Sequence, residues 1–243
     1  MWPDVLRLVD ESRSTPQANL ALDEALLLAV EQGQCTPCLR LWQCPTQVVV
    51  LGTSSRVGRE VHLDRCRSEG IGVLRRCTGG GVVLLGPGCL VFSLVLPVRA
   101  SQRMGGVRAA TASILDRCSK ALRRLVPGVS MCGTSDLAVG GQKVGGSAQR
   151  WLRRSMLHHG TLLYDFPIHD MSHYLKMPAR EPDYRAGRPH DAFVTNLPAS
   201  DDQLRRALAE AWGAAERGGP LPDELAEQLV RDKYSTDAWN LRW

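Results

Sequence analysis

The chain has 243 residues, 44% of them hydrophobic, enough to bury a substantial core and compatible with one large domain or two small ones; a single domain over residues 1–243 is expected. Its 30 Lys and Arg against 25 Asp and Glu give a net charge of +5, which suits an acidic protein or an anionic small molecule, while 5% aromatic residues and scattered basic residues speak against nucleic acid. The N-terminus lacks a basic region followed by an apolar run, and the apolar stretch Leu90 to Leu96 is broken by Ser93 and ended by Pro97, so neither signal peptide nor membrane span is expected and the cytosol is the expected location.

In chain order, Ala18 to Glu31 reads as a helix, from the near-3.6 period of Leu20, Ala21, Ala25, Leu27 and Leu28, and Gly33 would end it. Leu39 to Trp42 and Val48 to Leu51 are short apolar runs bounded by Pro, Gly or Ser, the pattern of strands, and Glu60 to Glu69 reads as a short helix. Gly72 to Arg76, Val82 to Leu85 and Leu90 to Leu96 read as three further strands, with Gly86-Pro87-Gly88 as a turn. Val107 to Leu125 is a longer amphipathic helix stopped by Pro127-Gly128. Gly140-Gly141 between Leu137-Ala138-Val139 and Lys143-Val144 marks a tight hairpin, and Met156 to Tyr164 is one more strand. Helices are expected over Asp201 to Glu216 and Pro222 to Lys233, separated by Gly218-Gly219-Pro220. Strands with adjacent hairpins, interspersed with helices, predict an α+β domain with a mixed, largely antiparallel sheet rather than a doubly wound parallel one.

Eight cysteines, at positions 35, 38, 44, 66, 77, 89, 118 and 132, are expected to be reduced and mostly buried. Cys35-Thr36-Pro37-Cys38 has no second CxxC or spaced histidine to complete a zinc site, and a strand rather than a helix follows it, so zinc and thioredoxin-like roles are set aside. His158-His159 does not form HExxH, and no metal ligands are assigned.

Two segments carry the chemistry. Arg75-Arg76-Cys77-Thr78-Gly79-Gly80-Gly81-Val82 sets two guanidiniums beside backbone that a ligand can approach closely, without the Walker A spacing. Asp136-Leu137-Ala138-Val139-Gly140-Gly141-Gln142-Lys143-Val144-Gly145-Gly146-Ser147-Ala148-Gln149 brings Lys143 just past a hairpin turn, where its ammonium can meet an acyl carbonyl or a phosphate, and starts with Asp136, which can position Lys143, meet a magnesium-bearing phosphate, or cap the turn. Cys132 stands in a polar, glycine-bearing loop eleven residues before Lys143, a context in which a thiolate can attack a thioester.

In this order, and followed by His158-His159-Gly160-Thr161-Leu162-Leu163, these segments resemble the biotin/lipoate protein ligase superfamily, in its lipoate ligase and octanoyltransferase branch. Asn19 to Ala25 resembles the first-helix signature of that branch and Lys233 to Asn240 its closing segment. The resemblance implies an α+β catalytic domain that attaches a lipoyl or octanoyl chain to a lysine of a lipoyl domain or of the glycine cleavage H protein. By motif position it implies that Arg75, Arg76, Gly79, Gly80 and Gly81 contact the acyl or adenylate portion, that Lys143 meets the acyl carbonyl or phosphate, and that Ser147, Ala148 and His159 line the site. The expected activity is that of a lipoate ligase using ATP and Mg²⁺, for which a chain of this length would need a separately encoded small partner, since no C-terminal accessory domain is expected. The alternative is an octanoyltransferase that takes octanoyl from acyl carrier protein through a thioester on Cys132, and a third reading is a lipoyl- or carrier-binding module without turnover.

Overall fold

In the computed structural model residues 2–98, 100–216 and 219–242 are described, so Gly218 of the expected helix break lies outside the described residues. Among the described residues eleven strands fall in two sheets. The larger is built from β1 (Arg7–Asp10), β2 (Cys38–Gln43), β6 (Cys89–Pro97), β7 (Ser130–Cys132), β8 (Asp136–Val139), β9 (Gln142–Trp151), β10 (Ser155–Leu163) and β11 (Ala215–Glu216), in the order β11-β1-β2-β6-β10-β9-β8-β7. Within it only the pairs involving β1 are parallel. The smaller sheet orders β4 (Gly72–Arg75), β3 (Val48–Leu51) and β5 (Val83–Leu85) as β4-β3-β5, with β3–β4 parallel and β3–β5 antiparallel. The fold is therefore α+β with mixed, largely antiparallel pairing, as the sequence pattern predicts, but divided between two sheets.

Packing explains the division. Val48–Leu51 is buried along its whole length, a run with no polar alternation, because β3 has neighbours on both faces. Its valines share a core with Trp42, Val91 and Leu163 of the larger sheet. On the other face of the larger sheet a second core joins Leu39, Leu41, Phe92 and Leu94 to Ile114, Leu115 and Leu122 of helix Ala100–Leu122.

Helix Pro16–Glu31 starts at an N-cap Thr15 whose side chain accepts from Ala18 N–H, with Pro16 in the first turn where a missing N–H costs nothing. It is buried on nearly all sides, Asn19, Asp23 and Glu24 included. Boundaries elsewhere differ from expectation for local reasons. The helix expected over Glu60 to Glu69 is two, Val57–Glu60 and Leu63–Ser68, because Val61 is extended and bridges Leu175. The helix expected from Val107 begins at Ala100, with a break at Gly106, and ends at Leu122. The helix from Asp201 stops at Ala211, where the buried Trp212 enters the core and the chain turns to pair as β11 with β1. Helix Asp223–Leu229 continues into a wider turn over Val230–Tyr234. Among the described residues no helix is long and apolar enough to cross a membrane.

Candidate active site

The lysine hairpin is built by its turn and by one irregularity. Gly140 and Gly141 both take positive φ, 56° and 77°, the requirement of a two-residue hairpin turn that matches strand twist. Ala138 then pairs with Lys143, but Leu137 pairs with Gly145 and Asp136 with Gly146, so one extra residue is accommodated in β9. Lys143 therefore stays on the face of Asp136, and its Nζ lies 2.8 Å from Asp136 Oδ1, with side chains 30% and 10% exposed. Asp136 Oδ2 accepts from the Tyr184 hydroxyl at 2.9 Å. Burial and that carboxylate push the Tyr184 phenol well above its ordinary range, so it remains a neutral donor.

Cys132 does not sit in a loop, as its sequence context suggests, but ends strand β7, directly opposite Asp136. Residues opposite one another in neighbouring strands project to the same face, so Cys132, Asp136 and Gly146 form one row across β7, β8 and β9. Cys132 is half-buried. Six other cysteines are buried, and burial pushes their thiols up, Cys77 to about 11 and Cys38 to about 12.

Two arginines follow different paths at the end of β4. Arg75 is fully buried and turned into the protein: its guanidinium donates to the carbonyls of Gly52, Ser55, Trp239 and Arg242, so it holds the C-terminal segment and does not reach the cavity. Arg76 does line the cavity, but its donors go to Thr78 Oγ1 at 2.9 Å and to the carbonyls of Val50, Gly79 and Gly81 at 3.2, 2.6 and 2.8 Å. Burial lowers its pKa to about 10, which leaves it charged at neutral pH. It therefore shapes the glycine segment from beneath.

The cavity between these segments has a volume of about 150 Å³. Leu20, Trp42, Val50, Leu85 and Val91 form a buried apolar end, and Gly80, Gly81, Asp136, Lys143 and Ser147 a polar, more exposed one. This is a slot for a short apolar chain with a polar head at Lys143. It adjoins a wider vestibule of about 410 Å³ that shares Gly81, Asp136 and Lys143 and adds Lys176, Arg180 and Arg185 against Glu60 and Glu181, together with His190, which burial keeps neutral at pH 7. Cations outnumber carboxylates there, so an anionic group is favoured.

Of the residues expected from sequence, Arg76, Gly80, Gly81, Asp136, Lys143, Ser147, Ala148 and His159 are brought together on the cavity wall. Arg75, Gly79 and Cys132 are not on it, Cys132 standing one strand away. Sequence reasoning does not single out Trp42, Tyr184 or the charge on Asp23. The available signal for Asp23 is a pair of carboxylates, Asp23-Glu24, one turn after Asn19 in a largely apolar helical stretch.

The lipoyl protein ligase A/B catalytic domain family model matches residues 15–208. This chain belongs to that family. It is an enzyme of the lipoate ligase and octanoyltransferase group, which sets aside the reading as a binding module without turnover. An octanoyltransferase LipM of Kyrpidia tusciae is 28% identical over 97% of this chain and 98% of its own length. A solved lipoate-protein ligase A bound with ATP is 25% identical, with a TM-score of 0.81, over 97% of this chain and 98% of that one. A bipartite lipoate protein ligase of Thermoplasma acidophilum, solved in a study that includes its E2 lipoyl domain, has the same fold, with a TM-score of 0.81 at 24% identity over 97% of this chain and 95% of that one. Among family members, the full-length likeness to LipM favours the transferase alternative over the ligase activity expected from sequence.

Proposed function

We propose that this family member is an octanoyltransferase, moving octanoyl from the thioester of acyl carrier protein to a lysine of an H protein or lipoyl domain through a Cys132 thioester. The observation that carries the reading is the row Cys132–Asp136–Gly146, which sets a half-buried thiol on the face that bears Lys143 and the mouth of an apolar slot. The full-length likeness to an octanoyltransferase supports it.

The chemistry has two balanced steps. The Cys132 thiolate attacks the carbonyl carbon of the carrier thioester, the bond to the carrier's sulfur breaks, and the carrier thiol leaves with a proton. The acceptor lysine, as a neutral amine, then attacks the enzyme thioester; an amide forms, the amine gives up a proton, and Cys132 is regenerated. Lys143, steadied by Asp136, donates to the acyl oxygen as negative charge gathers there in each step. Gly80 and Gly81 leave backbone open beside the same oxygen, and the apolar end of the slot takes the hydrocarbon chain.

A second reading, lipoate ligation, has its own support in the cationic vestibule beside Lys143 and in the likeness to an ATP-bound ligase. The residues present fit a nucleotide phosphate: Lys143, Lys176, Arg180 and Arg185 would hold it, and ATP with Mg²⁺ would supply activation of the carboxylate as an adenylate. Incubating the enzyme with octanoyl-acyl carrier protein and measuring the mass of the Cys132 peptide tests the proposal. An octanoyl adduct on Cys132 is expected; an unmodified Cys132 in an enzyme that turns over would contradict it.

A further inference from the structure

Asp23, in the middle of helix Pro16–Glu31, is buried behind the cavity wall and is fully engaged. Its Oδ1 accepts from Arg40 Nη1 at 2.7 Å, and its Oδ2 accepts from the Ser93 hydroxyl at 2.6 Å and lies 3.3 Å from His159 Nδ1. Burial alone would raise the Asp23 pKa, but Arg40, His159 and Ser93 outweigh it and hold the carboxyl below its ordinary value. An ionised carboxylate only accepts, so the proton between the two residues belongs to His159 Nδ1. A neutral ring then presents Nε2 as an acceptor, and Nε2 lies 2.7 Å from Thr78 Oγ1. An acceptor Nε2 takes the Thr78 hydroxyl proton, while Thr78 Oγ1 itself accepts from Arg76 Nε at 2.9 Å.

The bonds therefore run in one direction, from Arg76 to Thr78 to His159 to Asp23. At the far end Arg76 Nη2 holds the carbonyls of Gly79 and Gly81. A side branch reaches the apolar end of the slot, where Trp42 Nε1 donates to Ser93 Oγ at 3.3 Å and Ser93 donates to Asp23. Reversing the tautomer of His159 would leave Nδ1 facing a carboxylate with no proton between them and would turn the Thr78 hydroxyl away.

We propose that Asp23 is a positioning residue of the acyl site: by fixing His159 as the Nδ1-protonated tautomer it sets the direction of a hydrogen-bond chain that ends on the Gly79 and Gly81 carbonyls and holds the glycine segment against the cavity. The proposal rests on the reading of the cavity as an acyl site. Asp23 and Thr78 touch no substrate; they act through His159 and Arg76.

The test has two parts. Nitrogen-15 NMR of the whole protein at pH 7.5, with His159 assigned by a His159→Gln variant, is expected to show a neutral ring protonated at Nδ1; a ring protonated at Nε2 alone, or at both nitrogens, would overturn the proposal. Thr78→Val keeps the shape and removes the link, and is expected to lower kcat by about 10- to 100-fold with KM little changed, whereas Thr78→Ser restores the rate. Full kcat in Thr78→Val would likewise overturn it. The tautomer measurement needs neither turnover nor a folded variant at Thr78, so it decides the direction of the chain even where the acyl donor assigned above is wrong.

Discussion

Lys143 Nζ and Asp136 Oδ1 lie 2.8 Å apart across the β8–β9 hairpin, in space that exists because residue 146 has no side chain. A Cβ built on Gly146 would stand 2.8 Å from Lys143 Nζ and 3.0 Å from its Cε. The ion pair, the bulge and the glycine are thus one device for placing an ammonium at the mouth of an apolar slot.

Replacing Lys143 by alanine removes the donor to the acyl oxygen. A loss of about 10²- to 10³-fold in kcat is expected, the usual effect of deleting one such donor. Because Lys143 is partly exposed and Asp136 keeps its bond from Tyr184, stability should change by no more than about 1 kcal/mol. Steady-state kinetics beside a denaturation curve checks both; an active Lys143→Ala enzyme would refute the site.

Gly146→Ala should fold, since the two nearest atoms it meets are the far end of a flexible lysine and the third, Asp136 Oδ1, stands at 3.3 Å, yet it should lose activity because that lysine must move. A fall of tenfold or more, on the order of 1.4 kcal/mol in the barrier, is expected with an unchanged denaturation midpoint. Unaltered kinetics would show that Lys143 need not occupy its present place.

The apolar end of the slot should set acyl length. Val91, on β6, lines it and is buried. Val91→Phe should fill this end and turn preference from octanoyl toward butyryl or hexanoyl donors, at a stability cost of about 1–3 kcal/mol. Measuring transfer across a series of acyl-carrier thioesters checks it; an unchanged length profile would place the chain elsewhere.

Acid should weaken the fold through His158. This residue is fully buried beside Phe92, neither ring nitrogen has a hydrogen-bond partner among the described residues, and burial pushes its pKa down to about 3. Between about pH 6.5 and pH 3 the unfolded chain therefore binds a proton that the folded one refuses, and stability falls as pH drops, by up to about 1.4 kcal/mol per unit. His190, pushed by burial to about 4, acts in the same sense over a narrower window. Asp23 and Glu24, whose partners hold them low, lose their contribution only in stronger acid. Urea unfolding at pH 7 and pH 5 should show a smaller loss for His158→Leu than for the unaltered protein, and equal losses would contradict the assignment.

Much of this arrangement was legible in the sequence because it rests on local rules. Gly140-Gly141 between apolar runs fixes the hairpin, and the order of the arginine, lysine and histidine segments identifies the family. What was not legible depends on distant partners. Arg75 and Arg76 are adjacent and chemically alike, yet β4 sends one to the C-terminal carbonyls and the other beneath the glycine segment, since successive side chains of an extended chain point to opposite sides. Strand β7 has no signature in the sequence because its three residues become a strand only by pairing with β8. Asp23 and Glu24 read as breaks in a helix's apolar pattern, whereas Asp23 anchors on Arg40, and Glu24 on Arg150, Lys233 and Tyr234, all remote in sequence.

Intact-mass spectrometry of the acceptor distinguishes acyl transfer without nucleotide from ligation. H protein or lipoyl domain is incubated with the enzyme and octanoyl-acyl carrier protein in the absence of ATP, in parallel with lipoate and MgATP, and each reaction is repeated with Cys132→Ala. An octanoylated acceptor without ATP, lost in Cys132→Ala, is expected. Labelling only with lipoate and MgATP, undiminished in Cys132→Ala, would contradict it and establish ligation in the cationic vestibule instead.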